Sequence, residues 1–216
     1  MLNKYKLVVF DWDGTLINSS AHIVKCMQQA AQDHNEYIHD DEDIRQTIGL
    51  SLPNVLATLF PSASPQKVAD IHQSYSKYFF QNVSPLFSGA LATLEELKQA
   101  DIKIAIATGK SRRGLDWDLQ QLGLDHYFDT TRCASETSSK PNPQMALEIL
   151  DELDIKPSDA VMVGDTTFDI QMASNANFDS IAVTYGVHKK EQFAACNPTA
   201  YLEEISQLSS LVIHQN

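Results

Sequence analysis

Three short apolar runs stop abruptly at polar residues. Leu7 to Phe10 ends at Asp11-Trp12-Asp13-Gly14, Ile102 to Ala107 at Thr108-Gly109-Lys110, and Ala160 to Val163 at Gly164-Asp165. Continuous apolar runs of four to six residues, bounded by turn-forming residues, read as strands buried on both faces. Between and after them the period becomes helical. Leu91, Leu94 and Leu97 mark one helix, about Arg112 to Leu122 a second, Met145, Ile149, Leu150 and Leu153 a third, and about Thr167 to Ala176 a fourth. A short strand is expected near Tyr127 to Thr131, a last strand at Ser180 to Thr184, and a C-terminal helix containing Leu202, Ile205 and Leu208. Strand and helix in alternation predict a parallel sheet with helices on both faces.

One segment breaks this rhythm. From Ala21 to about Asn82 no further apolar strand occurs, and the stripes Ile23/Met27/Ala30/Ala31, Leu52/Val55/Leu56/Leu59 and Val68/Ile71/Tyr75/Tyr78/Phe79 are all helical. Pro53 suits the first turn of the second of these helices. The aromatic stripe is expected to pack as this block's own core, and Asp40 to Asp43 to form a solvated helix start. The domain reading is an α/β core over 1–18 and 84–216, with an all-helical insertion over 19–83.

Composition narrows the class of partner. The 216 residues carry 16 Lys+Arg against 28 Asp+Glu, a formal charge of −12. Such a surface repels phosphate-backbone polymers and anionic membranes, so nucleic acid and membrane are not expected partners. Cys26, Cys133 and Cys196 are widely spaced, odd in number and in no metal-ligand pattern, which reads as free thiols in a reducing compartment. No basic-then-apolar leader and no run of about 18 apolar residues is present, so a cytoplasmic protein is expected. A monomer is the first expectation for its assembly and a homodimer the second.

The chemistry gathers where the apolar runs end, the place at which parallel sheets bind ligands. Asp11 and Asp13, one residue apart, repel each other unless a cation lies between them, and a hard divalent ion such as Mg²⁺ suits oxygen ligands. Thr108-Gly109 adds a hydroxyl and a tight turn, Lys140 between Ser139 and Pro141 adds an ammonium, and Asp165 with Asp169 adds an acidic pair at a helix start. A phosphoryl group wants cationic and hydrogen-bonding neighbours around its oxygens and an in-line nucleophile at phosphorus. Gly109-Lys110-Ser111 is not a P-loop, because that motif requires glycine where Ile104 stands.

These four segments, in this order, resemble the haloacid dehalogenase superfamily, in the branch of phosphoglycolate phosphatase-like members with a helical cap after the first motif. The resemblance covers essentially the whole chain. Asp11-Trp12-Asp13-Gly14-Thr15 is similar to motif one, Thr108-Gly109 to motif two, Lys140-Pro141 to motif three, and Gly164-Asp165-Thr166-Thr167-Phe168-Asp169 to motif four. It implies an α/β, Rossmann-like core with an inserted cap, and a Mg²⁺-dependent phosphatase that hydrolyses small phosphate monoesters of the phosphoglycolate or sugar phosphate type, its partner being a small phosphorylated metabolite. Asp11 is then the nucleophile that forms an aspartyl-phosphate, and Asp13 the proton donor and later base. Thr108, Gly109 and Lys140 would bind the phosphoryl group. Asp11, the backbone carbonyl of Asp13, Asp165 and Asp169 would surround the metal. Arg45, in an Arg-x-x-x-Gly segment of the cap, would meet a carboxylate or second phosphate, or else face solvent. A sugar-phosphate mutase shares all four motifs, and a catalytically silent phosphate binder is the other alternative. Trp12 replaces the Leu or Met common in motif one and is expected to point away from the carboxylates.

Overall fold

In the computed structural model, which describes residues 4–213, six strands form one fully parallel sheet. They are β1 (Leu7–Phe10), β2 (Lys103–Thr108), β3 (Thr130–Cys133), β4 (Ala160–Gly164), β5 (Asp179–Val183) and β6 (Ala200–Leu202). Their spatial order is β3-β2-β1-β4-β5-β6. The chain therefore steps outwards from β1 to one edge, then returns to build the other side. β1 lies at that reversal, flanked by β2 and β4, with Phe10 abreast of both Ile106 and Val163. The three strand ends marked in the sequence thus lie side by side at the switch point, where ligands bind in open parallel sheets.

The central strands β1, β2 and β4 are almost wholly apolar because each buries both faces. Val8, Phe10, Ile104, Ile106, Val161 and Val163 pack on one side against α5 (Ala90–Gln99), α6 (Arg112–Leu122) and α9 (Leu208–Val212). Leu7, Val9, Ala105, Ala107 and Met162 face the other, against α7 (Gln144–Leu153) and α8 (Thr167–Asn175). This is the period-two alternation of a strand, doubled by helices on both sides.

Between β1 and α5 come α1 (Ser20–Asp33), α2 (Asp41–Arg45), α3 (Leu52–Leu59) and α4 (Pro65–Phe79). They share a separate cluster in which Val24, Met27, Ile44, Leu56, Leu59 and Ile71 are buried together. Asp40 caps α2 by accepting from the Asp43 amide, and Pro53 occupies the first turn of α3. The chain leaves and re-enters the sheet at one place: Ile17 bridges Leu86, and the Asn18 amide donates to the Pro85 carbonyl at 2.8 Å.

Two expectations need correction. Tyr127 lies in a 3-10 turn, Asp125–Tyr127, and the strand begins at Thr130. Leu202 belongs to β6, while Ile205 and Leu208 start the short C-terminal helical segment. Both misread strands are edges of the sheet, where strands are short and polar and carry little apolar signal.

Candidate active site

Asp11 follows β1 directly and is almost fully buried. One carboxylate oxygen, Oδ1, accepts from the Lys140 ammonium at 2.7 Å, while Oδ2 has no partner among the described residues. Lys140 is itself sealed from solvent, and its three N–H bonds are spent on Asp11, Asp169 (2.6 Å) and the Ala107 carbonyl (3.3 Å). It therefore holds Asp11 and Asp169 in place with no donor left over.

Motif four reaches the site through a helix cap. Asp169, at the third position of α8, accepts from the Thr166 amide and hydroxyl at 3.0 and 2.7 Å, and its other oxygen faces Lys140. Asp165 accepts from the Thr15 hydroxyl at 3.0 Å and from the Val187 amide at 2.8 Å. Gly14, with φ +86°, is required beside it, since a Cβ there would lie 2.1 Å from an Asp165 oxygen.

Asp11, Asp165 and Asp169 bring one oxygen each within 4.8 Å of one another. Three buried carboxylates meet one ammonium. Burial drives Asp11 well above the usual carboxylate range, Lys140 opposes this, and the two neighbouring acids add to it. Burial and the Asp169 charge likewise raise Asp165 to about 7. The surplus negative charge, the all-oxygen donor set and the unpartnered Asp11 oxygen together fit a hard divalent cation. The Asp13 carboxylate is not part of this cluster. It accepts from the Ser19 hydroxyl at 2.6 Å and lies 3.1 Å from Lys110 through both oxygens.

Asp11, Asp13, Thr108, Gly109 and Lys110 line one wall of a cavity of about 300 Å³, and helices α1, α3 and α4 line the other. The segment before α3 presses onto motif two: a Cβ on Gly109 would lie 2.5 Å from the carbonyl oxygens of both Gly49 and Leu50. The Ser51 amide also donates to the Ser139 hydroxyl at 3.0 Å, beside Lys140. Lys140, Asp165 and Asp169 stand behind the wall rather than in it.

Arg45 does not join these residues. It pairs with Asp41 at 3.3 Å across one turn of α2 and takes no part in the cavity wall, as four-residue helical spacing favours. The aromatic stripe of α4 is divided: Ile71 packs inside the helical block, but Tyr75 and Phe79 line the cavity, so it is not solely a core stripe. Lys110 has no role in the sequence reading, yet its buried ammonium joins Asp13 to Asp118, 3.1 Å from each. Burial disfavours that charge, but Asp13 and Asp118 outweigh it and raise the Lys110 pKa. Trp12 does point away from the carboxylates into the core, and its indole N–H donates to Asp118 at 2.9 Å.

The chain is similar to known proteins in sequence and fold. The family model described as "Haloacid dehalogenase-like hydrolase" matches residues 8–183. The pyrophosphatase PpaX of Bacillus cereus (strain B4264) is 30% identical over 97% of each chain. The phosphoglycolate phosphatase of Vibrio vulnificus (strain CMCP6) is 31% identical over 96% of each. The crystal structure of a haloacid dehalogenase-like hydrolase from Bacteroides fragilis superposes with a TM-score of 0.88 at 29% identity, covering 95% of this chain and all of that one. With its acidic strand ends, capped Asp pair and buried lysine, this chain belongs to the haloacid dehalogenase-like hydrolase family.

Proposed function

We propose that the protein hydrolyses small phosphate monoesters by way of an aspartyl-phosphate on Asp11. The observation that carries this reading is the pairing of two unlike aspartates at one cavity: Asp11 is clamped by Lys140 with one oxygen free, and Asp13 is held apart from it by Ser19 and Lys110. In its protonated form Asp13 gives its proton to the ester oxygen as a carboxylate oxygen of Asp11 attacks phosphorus and the bond to that ester oxygen breaks. Asp13, now a carboxylate, takes a proton from water, whose oxygen attacks phosphorus and releases orthophosphate and free Asp11. Thr108 and Gly109 line the same cavity as Asp11 and Asp13, which supports reading them as donors to the phosphoryl oxygens.

Mg²⁺ would be held by Asp11, Asp165 and the Asp13 backbone carbonyl, with Asp169 beside them. When bound, it supplies positive charge against the phosphoryl oxygens. The helical block serves as the cap that keeps bulk water from the acyl-phosphate. We take the partner to be a small phosphorylated metabolite and the assembly to be monomeric. A cytoplasmic location is supported by the three free cysteines, and no helix of the described residues is long and apolar enough to cross a membrane.

Phosphate release with Mg²⁺ and with EDTA tests the reaction. Turnover should require the metal, fall to background in Asp11→Asn, and fall by about 10²–10⁴-fold in Asp13→Asn with ligand binding kept. Unchanged turnover in Asp13→Asn would remove the role assigned to that residue.

A further inference from the structure

The helical half of the cavity offers a substrate almost no charge. Its wall there is built from Ile23 and Met27 of α1, Leu52 and Val55 of α3, and Phe79 and Phe80 at the end of α4. The two Lys/Arg side chains that reach the wall come from the core, and both are engaged by aromatic rings. The Lys110 ammonium, already bound by Asp13 and Asp118, lies 4.2 Å from the Phe79 ring centre. The exposed Arg113 guanidinium lies 4.7 Å from that of Phe80. Arg45, which a carboxylate or second phosphate would need, is turned to Asp41. His72 lines the cavity from an exposed position. Tyr75 makes no hydrogen bond among the described residues, and burial, with Asp13 nearby, raises its pKa, so it remains a neutral donor.

A glycolate carboxylate or second phosphate moved under these helices would lose its water and gain no buried cation in exchange, since Lys110 is already paired and the one unpaired guanidinium among the described wall residues, Arg113, lies exposed at the core side of the wall. An apolar group placed there loses only its exposure to water, which is favourable. Resting on the phosphatase reading above, we infer that the preferred substrates are phosphate monoesters of apolar alcohols, alkyl or aryl, rather than pyrophosphate or phosphoglycolate. A cavity of about 300 Å³ limits the alcohol to a small one.

Ethyl, butyl and hexyl phosphate test this without changing the leaving group, because their alcohols are almost equally basic. With the full chain and Mg²⁺, kcat/KM should rise about fourfold per methylene from ethyl to butyl. Butyl phosphate should exceed phosphoglycolate and pyrophosphate by about tenfold or more. Leu52→Arg, which places a cation on the cap side, should flatten the alkyl series and raise phosphoglycolate relative to butyl phosphate. A flat or falling alkyl series, or preference for either anionic substrate, would overturn the inference while leaving the phosphatase reading intact.

Calorimetry with the matching alkylphosphonates reads the same pocket without turnover. Affinity that tightens from ethyl- to butylphosphonate in a protein that turns over no ester would support the apolar pocket and defeat the hydrolytic reading. Affinity independent of chain length overturns the inference whatever the turnover.

Discussion

Lys110 spans two carboxylates that lie far from each other in sequence, Asp13 and Asp118, and the Trp12 indole N–H donates to the same Asp118 oxygen that Lys110 meets. Replacing it with methionine keeps much of the aliphatic stem but leaves Asp118 buried without its cation. Losing one partner of a buried pair costs about 3–5 kcal/mol, so Lys110→Met should lower the urea midpoint markedly with an unchanged slope. An unaltered midpoint would mean that Asp118 is neutral in the folded protein. The same residues mark the limit of what single positions disclose in sequence. Asp11, Asp13 and Asp165 are conspicuous because each interrupts or ends an apolar run. Lys110 follows Thr108-Gly109 without any such signature, and Asp118 lies midway along an ordinary helix whose buried face it shares with Leu115 and Leu119. Their link to Asp13 exists only once β1 and β2 are neighbours.

At the scale of elements, the central strands were plain in the chain because parallel strands buried on both faces must be apolar without interruption. The edges were not. In β3, Thr130 and Arg132 serve surface ion pairs and hydrogen bonds with Glu148 and Glu152, which hides the strand among polar residues. The seating of the segment before α3 on motif two was also hidden, since glycine shows where backbone approaches but not which backbone. Gly109 makes that seating testable. A methyl group there, 2.5 Å from two carbonyl oxygens, must push the Gly49–Leu50 segment away from Thr108. Displacements of about 1 Å at a site can cost on the order of 10²-fold in rate. Gly109→Ala should therefore lose about that much in kcat/KM, with near-wild-type circular dichroism showing that the sheet remains folded. Wild-type kinetics would show that the contact has no part in catalysis.

Over the whole molecule, the uneven charge of the site links folding to pH and metal. Asp165 has a pKa of about 7 when folded, against about 4 in an unfolded chain. The folded state therefore binds this proton more tightly. The stability so contributed is fully present below about pH 4 and is lost as pH rises through 7 in the metal-free protein. A divalent cation takes the place of the proton, so its benefit should grow across the same interval. At a hundredfold excess over Kd, Mg²⁺ should raise Tm by about 5–10 °C at pH 8 and by much less at pH 5. Equal shifts at both pH values would separate metal binding from the Asp165 proton.

The isolated bridge between Ile17 and Leu86 and the Asn18–Pro85 hydrogen bond give the molecule a doorway at which the chain of the helical block leaves and returns. Because exit and re-entry are hydrogen-bonded neighbours, the sheet is continuous without anything that hangs from them. Replacing residues 19–84 with a short Gly-Ser linker should leave a folded, soluble core by circular dichroism, and an unfolded product would show that the helices hold the sheet together. Such a doorway makes the roof an interchangeable part: a different body hung from the same two hinges would give the same aspartates a new clientele without altering any strand beneath them.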